Sequence, residues 1–90
     1  MTARRFIVKG RVQGVGFRYF TIHVARACRV VGTVRNLPDG TVEAIAEGSR
    51  EAIDEFRKRL WEGPSFSSVT AVEENELPVS RRYTVFDIEY

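Results

Sequence analysis

Two stretches of helical spacing, each standing between stretches of alternation, constrain this chain more than any other feature. From Arg18 onward Phe20, Val24, Ala27 and Val31 fall on one helical face, with Phe17 and Cys28 beside them. Ile53, Phe56 and Leu60 line a second such face after Ser49. Around these stretches the period drops to two. Arg5-Phe6-Ile7-Val8-Lys9 reads as a strand ending near Val12, and Thr33-Val34-Arg35 starts another after Gly32. From Thr41 to Glu47, Val42, Ala44 and Ala46 alternate with Glu43, Ile45 and Glu47, which gives a third strand. A fourth is expected near Ser68–Glu74 and a fifth over Tyr83–Tyr90, with a polar turn at Asn75–Ser80 between them.

The punctuation supports this division. Leu37-Pro38-Asp39-Gly40 is a turn signal, because Pro presets φ at the second position and Gly closes the turn. It makes a hairpin of strands two and three. Ser49 can cap the second helix, Glu51 suits its positive end, and Gly63-Pro64 ends it. The resulting order, β-α-β-β-α-β-β, predicts an α+β fold: a ferredoxin-like split βαβ sandwich, with one five-stranded sheet and both helices on one face. Residues 1–90 are read as a single domain. A chain of this length buries roughly 60–65% of its unfolded surface, enough for one modest core.

Several function classes drop out. The run Phe6-Ile7-Val8 is far too short for a leader or a membrane span. The single Cys28 cannot form an internal disulfide, so a reduced, cytoplasmic protein is expected; a monomer is expected as well, although nothing in the sequence fixes the oligomeric state. One His and one Cys cannot build a His/Cys metal cluster or a Ser-His-Asp triad. No GxxxxGK[ST] or GxGxxG motif occurs, so a bound nucleotide is not indicated, and no cofactor is expected. His23 reads as a solvated helix residue, and Cys28 as a small core residue. Charge is uneven: residues 1–38 hold eight Arg or Lys and no acid, whereas residues 39–90 hold six against twelve acids. That asymmetry hints at an anionic partner, although the halves can neutralise each other in space.

What remains is Gly10-Arg11-Val12-Gln13-Gly14-Val15-Gly16-Phe17-Arg18, between the first strand and the first helix. A chain with few Cβ atoms can turn its N–H groups inward there, beside the positive helix end. The planar guanidinium of Arg18 offers paired donors that match two phosphate oxygens. A plain strand–helix turn with close-packed glycines accounts for the same residues equally well. Asn36, just before the Leu-Pro-Asp-Gly turn, reads on spacing alone as a turn residue.

The Val-Gln-Gly-Val-Gly-Phe-Arg core of Gly10–Phe20 resembles the active-site loop of the acylphosphatase family. Val34–Val42 resembles that family's second signature, and the likeness continues through Glu47-Gly48-Ser49, Gly63-Pro64 and Phe86–Tyr90. The resemblance implies five strands and two helices. It implies that the backbone of Gln13, Gly14, Val15, Gly16, Phe17 and Arg18, with the Arg18 side chain, holds phosphate, and that Asn36 positions the attacking water. The implied activity is metal-independent hydrolysis of small acyl phosphates, with inorganic phosphate or sulfate as competing anions. Two positions depart from the family pattern: Arg29 stands where Gly is usual at the end of the first helix, and Thr33 where Trp is usual.

The sparse site and this substrate class suit each other. An acyl phosphate expels a carboxylate of pKa about 4, which leaves unprotonated. Phosphoryl transfer runs through a loose transition state, so positioning and charge stabilisation carry most of the catalysis. A rival reading is a nucleic-acid-binding module, since Gly-Val-Gly-Phe-Arg-Tyr-Phe faintly echoes an RNA-binding signature. That signature belongs on a strand with outward aromatics, whereas Phe17 and Phe20 are expected on a buried helix face. No nucleic acid or membrane partner is therefore expected. A third reading is an anion-binding domain of a larger maturation enzyme.

Overall fold

A computed structural model describes residues 1–90. It carries β1 (Thr2–Arg11), α1 (Phe17–Cys28), β2 (Val31–Asn36), β3 (Val42–Gly48), α2 (Arg50–Glu62), β4 (Ser68–Leu77) and β5 (Phe86–Ile88). The strands form one sheet in the order β4-β1-β3-β2-β5. β1 runs antiparallel to β3 and β4, β2 is antiparallel to β3, and β5 pairs parallel with β2. The two β-α-β units interleave in this order, as the ferredoxin-like arrangement requires.

Register decides which side chains meet the helices. Phe6 lies opposite Ala44, Ala44 opposite Val34, and Val8 opposite Val42, so these residues share one face. Ile53, Phe56 and Leu60 of α2 pack there. The Phe56 ring lies 5.7 Å from both Phe6 and Phe86, edge-to-face with the first and tilted against the second, and so joins β1, α2 and β5. All three rings are buried, and each contributes on the order of 1.5–3 kcal/mol relative to exposure. Ser49 caps α2 by accepting the Ala52 N–H, and Glu51 sits in its first turn, as its sequence position suggested.

Three expectations are corrected. The buried face of α1 is Phe17, Thr21, Ile22, Val24 and Ala25; Ala27 is exposed, Phe20 is half-buried, and α1 ends at Cys28, so that Val31 and Gly32 already belong to β2. The stripe turned because Thr21, a polar residue, can be buried by donating its hydroxyl to the Phe17 carbonyl at 2.8 Å. β4 continues to Leu77 through Asn75, which pairs with Arg5, so the turn expected at residues 75–80 begins only after the strand. β5 is confined to Phe86–Ile88; residues 78–85 cross the molecule without a ladder, held by the Glu47 carboxylate at Ser80 and Arg81 and by the Gly32 N–H donating to the Val85 carbonyl. No helix is long and apolar enough to cross a membrane.

Candidate active site

β1 delivers the chain to one end of the sheet, and residues 12–16 turn it into α1. Gly14 and Gly16 have φ of 75° and 79°, in the left-handed region. A Cβ added at either would meet nothing within 4 Å, so these glycines are needed for backbone conformation and not for close packing. The turn leaves donors free. Gln13, Gly14, Val15 and Gly16 donate no backbone hydrogen bond, and the α1 ladder begins only with the Phe20 N–H to the Gly16 carbonyl, at 3.0 Å. No side chain caps α1 and its first turn holds no acid. Consecutive N–H groups from Gln13 to Arg18 thus lack partners in the chain, at the positive end of a twelve-residue helix.

Arg18 stands beside them, half-buried. Arg4, Arg5, Lys9 and Arg35 all pair with carboxylates from the second half of the chain, which neutralises much of the N-terminal charge excess. The Arg18 guanidinium pairs with none. Its one defined neighbour is the Tyr90 ring, with the guanidinium carbon 5.9 Å from the ring centroid.

Asn36 is the last residue of β2, in register with Val42 and so on the helix-bearing side of the sheet. Its exposed side chain makes no hydrogen bond within the chain. The turn that follows is well fixed. The Leu37 N–H donates to the Thr41 carbonyl at 2.9 Å, and the Gly40 N–H to the Leu37 carbonyl at 3.1 Å. The Asp39 carboxylate accepts from the Thr41 hydroxyl and N–H, at 2.6 and 3.0 Å, and these bonds hold its pKa below the ordinary value. The loop and this turn are tied by Gln13, whose Nε2 donates to the Leu37 and Thr41 carbonyls at 2.8 and 2.9 Å.

The rest of the molecule offers no competing centre. Burial pushes the Cys28 thiol up, away from thiolate, and His23 is exposed on α1. No three His, Cys, Asp or Glu side chains gather as a metal-binding group. The sheet's open face carries no aromatic from any strand, because Phe6 and Phe86 both point to the core. The strands themselves therefore supply no outward aromatic of the kind that the RNA-binding reading requires. One cleft of about 300 Å³ lies over that face, lined in part by Ile45, Glu47 and Tyr83. A second, of about 380 Å³, lies beside Arg26, Arg29 and Phe86. Neither includes the loop, which is an open cradle.

The acylphosphatase family model matches residues 4–88. The chain belongs to the acylphosphatase family. An acylphosphatase of Pasteurella multocida is 46% identical over 90 residues, covering all of both chains. The crystal structure of acylphosphatase from Bacillus subtilis superposes with a TM-score of 0.96 at 41% identity, again over both whole chains. The same unit occurs inside a longer protein: full-length HypF, in a phosphate- and nucleotide-bound form, matches 99% of this chain with 12% of its own, at TM-score 0.91 and 32% identity.

Of the two departures from the family pattern, Arg29 has a visible consequence. It occupies the left-handed position after α1, φ 62° and ψ 43°, with its N–H donating to the Arg26 carbonyl. Sequence reasoning missed the side chain of Gln13. No spacing rule links residue 13 to residues 37 and 41. The only available signal was a lone polar side chain, with two donors to satisfy, inside a glycine loop.

Proposed function

We propose that this acylphosphatase-family chain hydrolyses small acyl phosphates by seating the phosphate on the Gln13–Arg18 backbone, clamping it with Arg18, and aiming a water with Asn36. One observation carries this reading: a run of unpartnered N–H groups leading into Arg18, a half-buried residue whose guanidinium has no carboxylate partner.

The chemistry follows from what those groups can do. Inward N–H donors and a guanidinium stabilise charge on the phosphoryl oxygens as the bond to the acyl oxygen lengthens. The carboxylate leaves without a proton, so no general acid is needed. Asn36 can accept from the water and hold it in line, opposite the leaving group. The water becomes acidic only as it bonds to phosphorus, and a phosphoryl oxygen takes its proton. The products are a carboxylate and inorganic phosphate.

Phosphate and sulfate fit the same cradle and are the competing anions of this reading. The loop touches only the phosphate end, which suits a range of small acyl groups. In this reading residues 1–90 act as one domain and as a monomer, and the single thiol of Cys28 is in keeping with a reducing cytoplasm.

The deciding experiment is hydrolysis of an aryl acyl phosphate with and without a chelator. Equal rates are expected. Activity that disappears with chelator and returns with a divalent ion would overturn the mechanism.

A further inference from the structure

The reading above needs two pieces of backbone to keep a fixed separation: the loop that holds phosphate and the end of β2 that carries Asn36. Backbone pairing does not fix it. The β1–β3 ladder ends at Val8 opposite Val42, and beyond it β1 pairs only with β4. Among all hydrogen bonds, residues 12–18 are tied to residues 36–41 solely through Gln13 Nε2. Both of its protons are used, and both go to carbonyls of the residues that close the turn next to Asn36.

We propose that Gln13 is a positioning residue for hydrolysis: its side-chain amide locks the phosphate loop to the β2–β3 turn and so sets the height of the Asn36-held water above phosphorus. The inference rests on the proposed roles of Arg18 and Asn36. The geometry calls for an amide. Two carbonyl oxygens face the end of this side chain, so it must present two donors and no negative charge. A glutamate there would set its own oxygens against them. Displacing a reacting atom by about 1 Å can cost on the order of 10²-fold in rate, so a slack turn is felt in turnover first. Phosphate itself touches only the loop and Arg18, and its affinity does not depend on the tie.

The test uses the full chain, an aryl acyl phosphate as substrate and inorganic phosphate as inhibitor. Gln13→Met keeps the length and removes both donors. Its kcat is expected to fall about tenfold to a hundredfold, while the phosphate inhibition constant changes less than threefold. Added to Asn36→Ala, it should cost nothing more, because there is no longer a held water to misplace. Full multiplicativity of the two losses, an unchanged kcat, or loss of phosphate affinity in step with kcat overturns the positioning role. Near-normal turnover of Asn36→Ala overturns the site reading itself, and the role of Gln13 with it.

A second measurement needs no variant. Gln13 is the only glutamine, so its side-chain NH₂ is a single resonance pair. Its exchange with solvent should be at least tenfold slower than in a free glutamine amide. Exchange at the solvated rate overturns the tie.

Discussion

The Glu47 carboxylate accepts from both the N–H and the hydroxyl of Ser80, at 2.9 and 2.8 Å, across 33 residues of chain. The Arg81 N–H adds a third bond at 3.2 Å. These bonds hold the irregular crossing from β4 to β5 against the open face of the sheet, at the end of β3 away from the candidate site. Glu43, further along the same strand, accepts from Arg5 Nε and Arg35 Nε at 2.7 Å each. Burial alone would push both carboxyls up. The hydrogen bonds from Ser80 to Glu47, and from Arg35 and Arg5 to Glu43, outweigh it and hold both pKa values below the ordinary range.

Folded pKa values below the unfolded ones mean that the unfolded chain binds more protons in acid. Stability from Glu47 and Glu43 is therefore fully present above about pH 4.3, the unfolded glutamate value, and is lost as pH falls through the folded values. Urea unfolding should show a flat plateau near neutrality and a decline below that pH. Glu47→Ala should remove about 2–3 kcal/mol at pH 7 and flatten the decline, since it leaves donors facing a vacated carboxylate. Turnover at saturating substrate should stay near normal. A variant as acid-sensitive as the parent would show that Glu47 is not among the groups responsible.

Arg29→Gly should stabilise the protein. A left-handed conformation costs a side-chain-bearing residue roughly 1–2 kcal/mol, and glycine's extra unfolded entropy returns part of that gain. Arg29 is exposed and forms no ion pair, so the one favourable interaction it gives up is a weak attraction to the negative end of α1. A gain of about 1 kcal/mol in chemical unfolding, with unchanged kcat, is the expected result. A loss of stability would mean that the Arg29 side chain makes a contribution its backbone strain conceals.

The fold was legible because period, capping and turn chemistry agreed around α2 and the β2–β3 hairpin. Ser49, Pro38-Asp39-Gly40 and Gly63 all mark local backbone geometry, which sequence carries directly. Legibility failed where tertiary partners decide. The crossing of residues 78–85 depends on Glu47, more than thirty positions earlier, and Thr21 is buried only because a carbonyl one turn back accepts its proton. In the candidate site, spacing placed Gly14, Gly16 and Arg18 at the strand–helix junction but could not tell an anion cradle from a packing turn. The open space around the glycines and the unpartnered N–H groups are properties of the folded chain alone.

Inorganic phosphate and sulfate should inhibit hydrolysis competitively, because the proposed cradle binds the tetrahedral anion itself. Raising substrate should restore the full rate. Gly16→Ala should weaken this inhibition, since the left-handed turn that aims the N–H groups becomes strained although no atom blocks the new Cβ. Non-competitive inhibition, or none at high phosphate, would reduce residues 13–18 to a turn.

Arg18 and Asn36 should separate in kinetics because they are proposed to touch different partners. Arg18 contacts phosphate before and during transfer, so Arg18→Ala should raise the phosphate inhibition constant and lower kcat together. Asn36 holds only the water, so Asn36→Ala should lower kcat and leave phosphate inhibition nearly intact. Loss of one preorganised donor costs about 2.7–4 kcal/mol, or roughly 10²–10³ in rate, which sets the scale for Arg18→Ala and a comparison value for the water-accepting amide of Asn36. Arg18→Lys keeps the charge but loses the planar fork, and should recover little. Folding must be checked by near-ultraviolet circular dichroism, because Asn36 borders the turn closed by Leu37 and Thr41. The removal of the Asn36 amide breaks no hydrogen bond within the chain, so its stability should change by less than about 0.5 kcal/mol. A folded Asn36→Ala protein with near-normal turnover would return Asn36 to the status of a turn residue. The water would then have to be aimed by another group, and the proposed division of labour between the two residues would fall.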